Sequence, residues 1–194
     1  MNLSKQIYPA VALTIVLTVI VGIIYPFVVT GLSELFLKEK ARGSLIEREG
    51  KVIGSRLIGQ PFKGGGYFHS RPSAAGSGYD ASASGGINLG PTSKELFGEQ
   101  VKGRARDLRA ENPNTEIPVD LITSSGSGLD PHISPAAADF QIPRVARERR
   151  MSEDKVKQLV QEHTEGRQFG VLGEPRVNVL ELNLALDEAS RKSK

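Results

Sequence analysis

Cysteine and tryptophan are absent from these 194 residues, and histidine occurs only three times. No disulfide can form and thiolate zinc sites are excluded, while the lack of thiols fits either an oxidising or a reducing compartment. Formal net charge is only +3 and aromatic residues make up 6% of the chain, far from the strongly basic composition of a nucleic-acid binder. Charge is also missing locally: residues 6–33 contain no Asp, Glu, Lys or Arg and consist mostly of Ile, Val, Leu, Ala and Thr. No second run of this kind follows, and everything after Lys38 is polar enough to be soluble.

About 20 apolar residues cross a hydrocarbon core as a helix, so the run predicts one membrane span, about residues 9–31. It is roughly twice the length of a signal-peptide apolar region and lacks a small-residue cleavage site after it, so a retained anchor is expected. Tyr8, Tyr25 and Phe27 lie near its ends, where rings favour headgroups, and Pro26 is expected to kink or end the helix. Ala10, Thr14, Thr18 and Gly22 recur every four residues. Small residues on one stripe let a neighbouring helix approach closely, so this face is expected to pack against a partner helix. Lys38, Lys40, Arg42, Arg48 and Lys51 follow the span, against Lys5 before it. Counted alone these charges would keep the domain in the cytoplasm, but long folded domains translocate largely regardless of charge.

The expected organisation is an anchor at residues 1–37 and a soluble α+β domain at 38–194, helix-rich in its second half and large enough for its own core. Residues 44–57 read as a hairpin, with Gly50 available for positive φ. The Gly/Ser/Ala-rich stretch 61–92 carries Tyr67, Phe68, His69 and Arg71 and is read as an ordered loop wrapped over the domain. A helix capped at Thr92 or Ser93 carries Phe97, Val101, Ala105 and Leu108 on one face and stops at Asn112-Pro113-Asn114. Residues 118–123 are expected to form a short buried strand. Ser134-Pro135 should cap a short helix, Pro143 should begin another, and Ser152 should cap a third bearing Val156, Leu159 and Val160. The tail 177–186 is assigned as helix, with Asn178 and Glu181 as a capping pair.

Several groupings resemble catalytic or binding motifs without meeting their chemistry. Gly59-Gln60-Pro61-Phe62-Lys63-Gly64 has phosphate-loop spacing, but Gly65-Gly66 stands where Lys and Ser or Thr are required. Ser127, Asp130 and His132 share one short loop, the basis for a rival reading as a membrane-anchored extracytoplasmic serine hydrolase. A relay needs a base that reaches the nucleophile and a third group that orients the base. Residues this close, separated by Pro131, are better suited to bonding local backbone and holding a turn. His69, His132 and His163 are too scattered to suggest a metal site. Arg144, Arg147, Arg149 and Arg150 read as a solvated or phosphate-facing helix surface.

Three blocks together carry a resemblance: Tyr67-Phe68-His69-Ser70-Arg71-Pro72-Ser73, Ser84-Gly85-Gly86-Ile87-Asn88-Leu89-Gly90-Pro91-Thr92, and Pro118-Val119-Asp120-Leu121 through Asp130-Pro131-His132-Ile133-Ser134-Pro135. They resemble the C subunit of the bacterial Kdp potassium-transporting P-type ATPase, as does the closing segment from Arg176 to Asp187. Ile87 departs from the Ser-Gly-Gly-Ser-Asn usual in that family. The resemblance covers nearly the whole chain and implies an accessory subunit that does not itself hydrolyse ATP. It implies assembly with a channel-like potassium-binding subunit, a P-type ATPase subunit and a small single-helix subunit, in the lipid bilayer and without nucleic acid. It further implies a single-pass inner-membrane protein, with a cytoplasmic N-terminus and an extracytoplasmic domain.

The family's subunit is described as a catalytic chaperone raising ATP affinity, with potassium as the transported ion and no tightly bound cofactor. That role assigns nucleotide contact to Ser84, Gly85, Gly86 and Asn88, since a Ser-Gly-Gly turn offers backbone donors to phosphate. It leaves His69, Arg71, Asp120, Ser127, Asp130 and His132 as loop residues with structural or interface roles. Asp120, Asp130 and Asp139 are candidates for favouring cation entry. A domain outside the membrane cannot touch ATP inside, so any stimulation from there must be indirect. A substrate-capturing protein tethered to the membrane is a third reading.

Overall fold

A computed structural model describes residues 3–191. Contacts divide the chain into two units, Met1–Ile46 and Glu47–Lys194. In the first unit, α1 (Leu3–Val19), a π-helical stretch (Ile20–Ile24) and α2 (Tyr25–Phe36) follow one another without a break. Lys5–Phe36 is, among the described residues, the one helix long and apolar enough to cross a membrane. Pro26 does not end it. The Tyr25 N–H bonds the Ile20 carbonyl five residues back, and this widened turn just ahead of Pro26 accommodates a residue with no N–H to donate. Leu37, at φ −133° and ψ 38°, separates α2 from the short α3 (Lys38–Ala41).

β1 (Leu45–Arg48) and β2 (Lys51–Ser55) form a hairpin. Glu49 and Gly50 have φ of +53° and +74°, the two positive values of the turn that matches strand twist. A π-helical stretch (Leu96–Val101) then runs into α4 (Lys102–Glu111), and α5 (Val119–Ile122) is a single turn. Residues 118–123 are therefore helical rather than a strand. Pro118 holds φ −62° and ψ 140° at the N-cap, and Thr123 closes the turn with both its N–H and its Oγ on the Val119 carbonyl. Only Leu121 of α5 is buried; a strand would have needed a neighbour to take its backbone groups.

The second half is built from β3 (His132–Ile133), α6 (Pro135–Arg149), α7 (Glu153–Glu162), β4 (Thr164–Glu165), β5 (Arg176–Asn178) and α8 (Val179–Arg191). The strands form an antiparallel sheet in the order β3-β5-β4, with Val177 opposite Ile133 on one side and Thr164 on the other. The tail is thus a central strand that turns directly into a helix. The expected caps are present: Ser134 Oγ accepts the Ala137 N–H, Ser152 Oγ that of Lys155, and Asn178 Oδ1 that of Glu181. The two helices expected on either side of Pro143 are one. Pro143 sits inside α6, and the carbonyl it deprives of a donor belongs to Asp139, an exposed position that water reaches.

Phe140, Val145 and Ala146 of α6, Val156 and Val160 of α7, Leu182 and Leu186 of α8, Ile133 and Val177 of the sheet, and Phe68 of the long loop share one core. Phe68 is held there by backbone as well as by burial. Asn183, fully buried on α8, accepts the Phe68 N–H at 2.9 Å and donates to its carbonyl at 2.9 Å. Gln141, 1% exposed on α6, does the same for His69 at 2.8 and 3.1 Å. Two carboxamides thus pair consecutive peptide units from opposite sides, as neighbouring strands pair a central strand.

Truncating either amide leaves a buried donor and a buried acceptor unpaired, each costing about 1–3 kcal/mol. Asn183→Ala and Gln141→Ala are each expected to destabilise the full chain by about 2–5 kcal/mol. Urea unfolding in detergent reads this out; a loss under 1 kcal/mol from both would refute the clasp.

Candidate functional site

The loop after β2 contains two of the three signature blocks, 67–73 and 84–92, and α6 gathers the first. Arg144, 8% exposed, donates to the carbonyls of Gly65 and Tyr67, to Glu111 Oε1 at 2.8 Å and to Gln141 Oε1 at 2.7 Å. Arg149 donates to the Gly66 carbonyl and to Asp187 Oδ1 at 2.7 Å, with its guanidinium 4.4 Å from the centre of the Tyr67 ring. The basic run is therefore not one solvated face. Arg144 and Arg149 hold the loop, Arg150 is the left-handed C-cap of α6, and Arg147 is exposed beside Glu148.

His69 projects its ring Nε2 to 3.1 Å from the Gly64 carbonyl. Burial and the nearby Arg144 charge hold its pKa below the ordinary value, outweighing the Gly64 bond and Glu111. Two residues on, Arg71 reaches Asp130 Oδ2 at 3.4 Å, Thr123 Oγ1 at 3.5 Å and the Ser124 carbonyl at 3.3 Å. Asp130 Oδ1 accepts the His132 N–H at 3.0 Å, and the His132 ring Nδ1 lies 3.6 Å from the same oxygen. Burial pushes the Asp130 carboxyl up, but the His132 bonds and the Arg71 charge outweigh it, and its pKa lies below the ordinary value. Asp120 Oδ2 accepts the Ser134 N–H at 2.8 Å, at the start of α6.

His69 lies at a separate hollow with Arg104 and Glu111, and Arg71, Asp120, Asp130 and His132 line an open groove of about 450 Å³ that also includes Glu174 and Arg176. Of the acidic candidates it joins Asp120 and Asp130, while Asp139 lies at a separate surface hollow with Glu153 and Asp154.

Ser127 belongs to a different arrangement. Its Oγ accepts the Leu129 N–H at 3.1 Å, and among the described residues no hydrogen bond joins it to His132. The geometry required of a nucleophile and base is not assembled; Ser127 and Asp130 each brace a turn. The two Gly/Ser loops are zipped together. Ser84 Oγ and the Gly85 N–H both donate to the Ser127 carbonyl, at 3.0 and 2.9 Å. Ser73 Oγ donates to the Gly128 carbonyl at 2.6 Å while accepting the N–H groups of Ala75 and Tyr79. Gly128, at φ +66°, packs so closely that a Cβ would lie 2.7 Å from the Ala75 nitrogen and from the Gly85 oxygen. Asn88 holds a φ of +56°.

In the membrane helix, Thr14 Oγ1 donates to the Ala10 carbonyl at 2.8 Å, and a Cβ on Gly22 would lie 3.9 Å from Thr18 Cγ2. Ala10, Thr14, Thr18 and Gly22 are all exposed. The stripe survives the π-helical turn as one surface.

Sequence reasoning missed Gln141 and Asn183, and it read Arg144 and Arg149 as a solvated or phosphate-facing surface where they hold the loop. One signal was available: Gln141 and Asn183 are polar residues on helix faces that are otherwise apolar, where burial demands a partner.

With this geometry in hand, comparison with known proteins is specific. The family profile "KdpC: K+-transporting ATPase, c chain" matches residues 7–188. A potassium-transporting ATPase KdpC subunit of Koribacter versatilis is 59% identical over 185 residues, covering 95% of each chain. Those of Bradyrhizobium diazoefficiens (54%, over 97% of this chain and 99% of the relative) and Acidobacterium capsulatum (56%, over 92% and 96%) are similar too. The chain belongs to the KdpC family of subunits of the potassium-transporting ATPase.

Two measurements test the site. Gly128→Ala is expected to lower the thermal midpoint of the full chain by at least several degrees, whereas Gly126→Ala, with nothing within 4 Å of the new Cβ, leaves it unchanged. Equal midpoints would remove the case for the zipped loops. Stability should also fall in two acid steps. The depressed His69 value favours protons on the unfolded chain, so stability is full above about pH 6.5 and declines below it. The depressed Asp130 value keeps its contribution complete above about pH 4 and loses it in more acid solution. His69→Gln should remove the first step and Asp130→Asn the second, as read from urea midpoints across pH.

Proposed function

We propose that this chain is the accessory subunit of a high-affinity, ATP-driven potassium importer. In this reading it is anchored by one span with its N-terminus in the cytoplasm and its soluble domain on the outer face. A channel-like subunit binds potassium, a P-type ATPase subunit hydrolyses ATP, and a small single-helix subunit completes the assembly. The observation that carries the reading is the family match over residues 7–188, which takes in the membrane helix and the soluble domain together.

The stripe Ala10-Thr14-Thr18-Gly22 supplies the docking face in the membrane. It is exposed along the whole helix, and Thr14 spends its hydroxyl on its own helix, leaving a smooth surface for close packing. The chain acts as a catalytic chaperone by raising the ATP affinity of the ATPase subunit. Ser84 and Gly85 have their donors committed to the Ser127 carbonyl, so two of the groups a phosphate would take are already engaged. This favours the indirect route over contact with ATP through Ser84, Gly85, Gly86 and Asn88. Differential binding of the chain to two states of its partners shifts their equilibrium. The groove with Asp120, Asp130 and Glu174 faces solvent, and these three carboxylates outnumber its two arginines, Arg71 and Arg176, leaving a small negative excess toward cations.

One engineered thiol tests the topology. Gly126 is exposed and the chain has no native Cys, so Gly126→Cys should react with a membrane-impermeant maleimide on intact cells. Labelling only after lysis would place the domain inside and revive direct ATP contact. The purified chain alone is expected to hydrolyse no ATP, and the chain co-expressed with the other subunits is expected to co-purify with them. Gly22→Ile should cut that co-purification by about tenfold, the 1–2 kcal/mol scale of membrane-helix contacts.

A further inference from the structure

In the soluble unit, the exposed large apolar side chains Val52, Leu57, Phe97 and Val119 stand apart in the sequence. Phe169, Val171 and Leu172 do not: they share the tip of one hairpin and are 92%, 72% and 57% exposed. The tip is well braced. Gln168 and Leu172 exchange both backbone bonds at 2.9 Å, and the N–H groups of Gly170 and Val171 return to the carbonyls of Arg167 and Gln168 at 3.2 Å. Below it, Arg167 grips both oxygens of Glu174 at 2.8 and 2.7 Å. Arg176 pairs with Glu165 at 2.9 Å.

Phe169 also sits at φ +52°. A left-handed backbone is unfavourable for a bulky side chain, and Gly or Asn is the usual occupant. Stability alone would place a small polar residue there. An aromatic ring is instead held almost wholly in water, on a strained backbone, by a preorganised turn. Strain and exposure at one residue together point to a surface that something else covers.

The charges choose between the available occupants. An anionic lipid surface is met by unpaired Lys or Arg, whereas both arginines flanking this tip are spent on carboxylates of the same hairpin. An apolar anchor within a neutralised polar collar is the pattern of a protein contact. We infer that the 168–172 hairpin inserts Phe169 into an apolar pocket, with an uncharged polar rim, on another protein subunit of the assembly. The inference rests on the subunit reading above. A single Phe buries on the order of 200 Å², well short of the roughly 800 Å² per partner in a stable interface, so the hairpin is one anchor among several contacts.

The test uses the full-length chain co-expressed with the other subunits. With p-benzoylphenylalanine in place of Phe169, irradiation should give a covalent adduct whose partner peptide, identified by mass spectrometry, belongs to one of those subunits. Phe169→Asn suits the left-handed turn, so the thermal midpoint of the purified chain should hold or rise. Retention in the assembly through detergent washing should fall about tenfold, the loss of one interface anchor. A lower midpoint would mean that Phe169 serves the fold. Adducts with lipid alone, no adduct, or undiminished retention would each overturn the hairpin contact while wild-type co-purification left the subunit reading standing. Failure of the wild-type chain to co-purify at all would overturn both.

Discussion

The soluble unit depends on two side-chain amides. Asn183 and Gln141 project from α8 and α6 onto the consecutive peptide units of Phe68 and His69. A buried peptide group must be paired, and no sheet is present at this point to pair these. The amides stand in for the missing strands, and in doing so they fix where the long loop crosses the core. Phe68 then fills the space between helices, and Arg144 and Arg149 tie down the carbonyls just before it. A loop of Gly, Ser and Ala would otherwise have little apolar surface with which to offset its ordering entropy.

That anchoring explains why the segments most characteristic of the family read as chemistry and behave as joinery. Asp130 holds the turn into β3 and meets Arg71 from the anchored loop. Asp120 receives an N–H at the start of α6, and Ser127 and Gly128 carry the carbonyls that receive Ser84, Gly85 and Ser73. Asp130 does both at once, closing a local backbone need and joining two segments far apart in the chain. Facing outward are a groove of mixed charge, a strip of small residues in the membrane helix and an apolar hairpin tip.

Much of the local structure was legible in advance. The membrane helix follows from length and the absence of charge. Ser134, Ser152 and Asn178 cap the helices they were expected to cap, because an N-cap bond spans three residues and needs no tertiary context. The errors came where context decided. Residues 118–123 look like a strand by apolar content, but no neighbour offers them a ladder, so they close a single helical turn. Pro143 looks like the start of a new helix, yet it lies inside α6, where the unpaired carbonyl belongs to an exposed residue. At Pro26, where a kink or an end was expected, the helix runs on through a π-helical turn.

What the sequence determined by itself is what depends on neighbours a few residues away: one apolar span, the helix caps, the β1–β2 turn and the motif blocks that place the chain in its family. The path of the 61–92 loop was decided only in the tertiary structure, together with the burial of Arg144, the loop contacts of Arg149, the commitment of the Ser84 and Gly85 donors to Ser127, and the exposure of Phe169. Each of these is a question of which distant group satisfies a donor, an acceptor or an apolar surface. Such pairings join residues far apart in the chain, as Phe68 and Asn183 are 115 positions apart, and no local pattern specifies them.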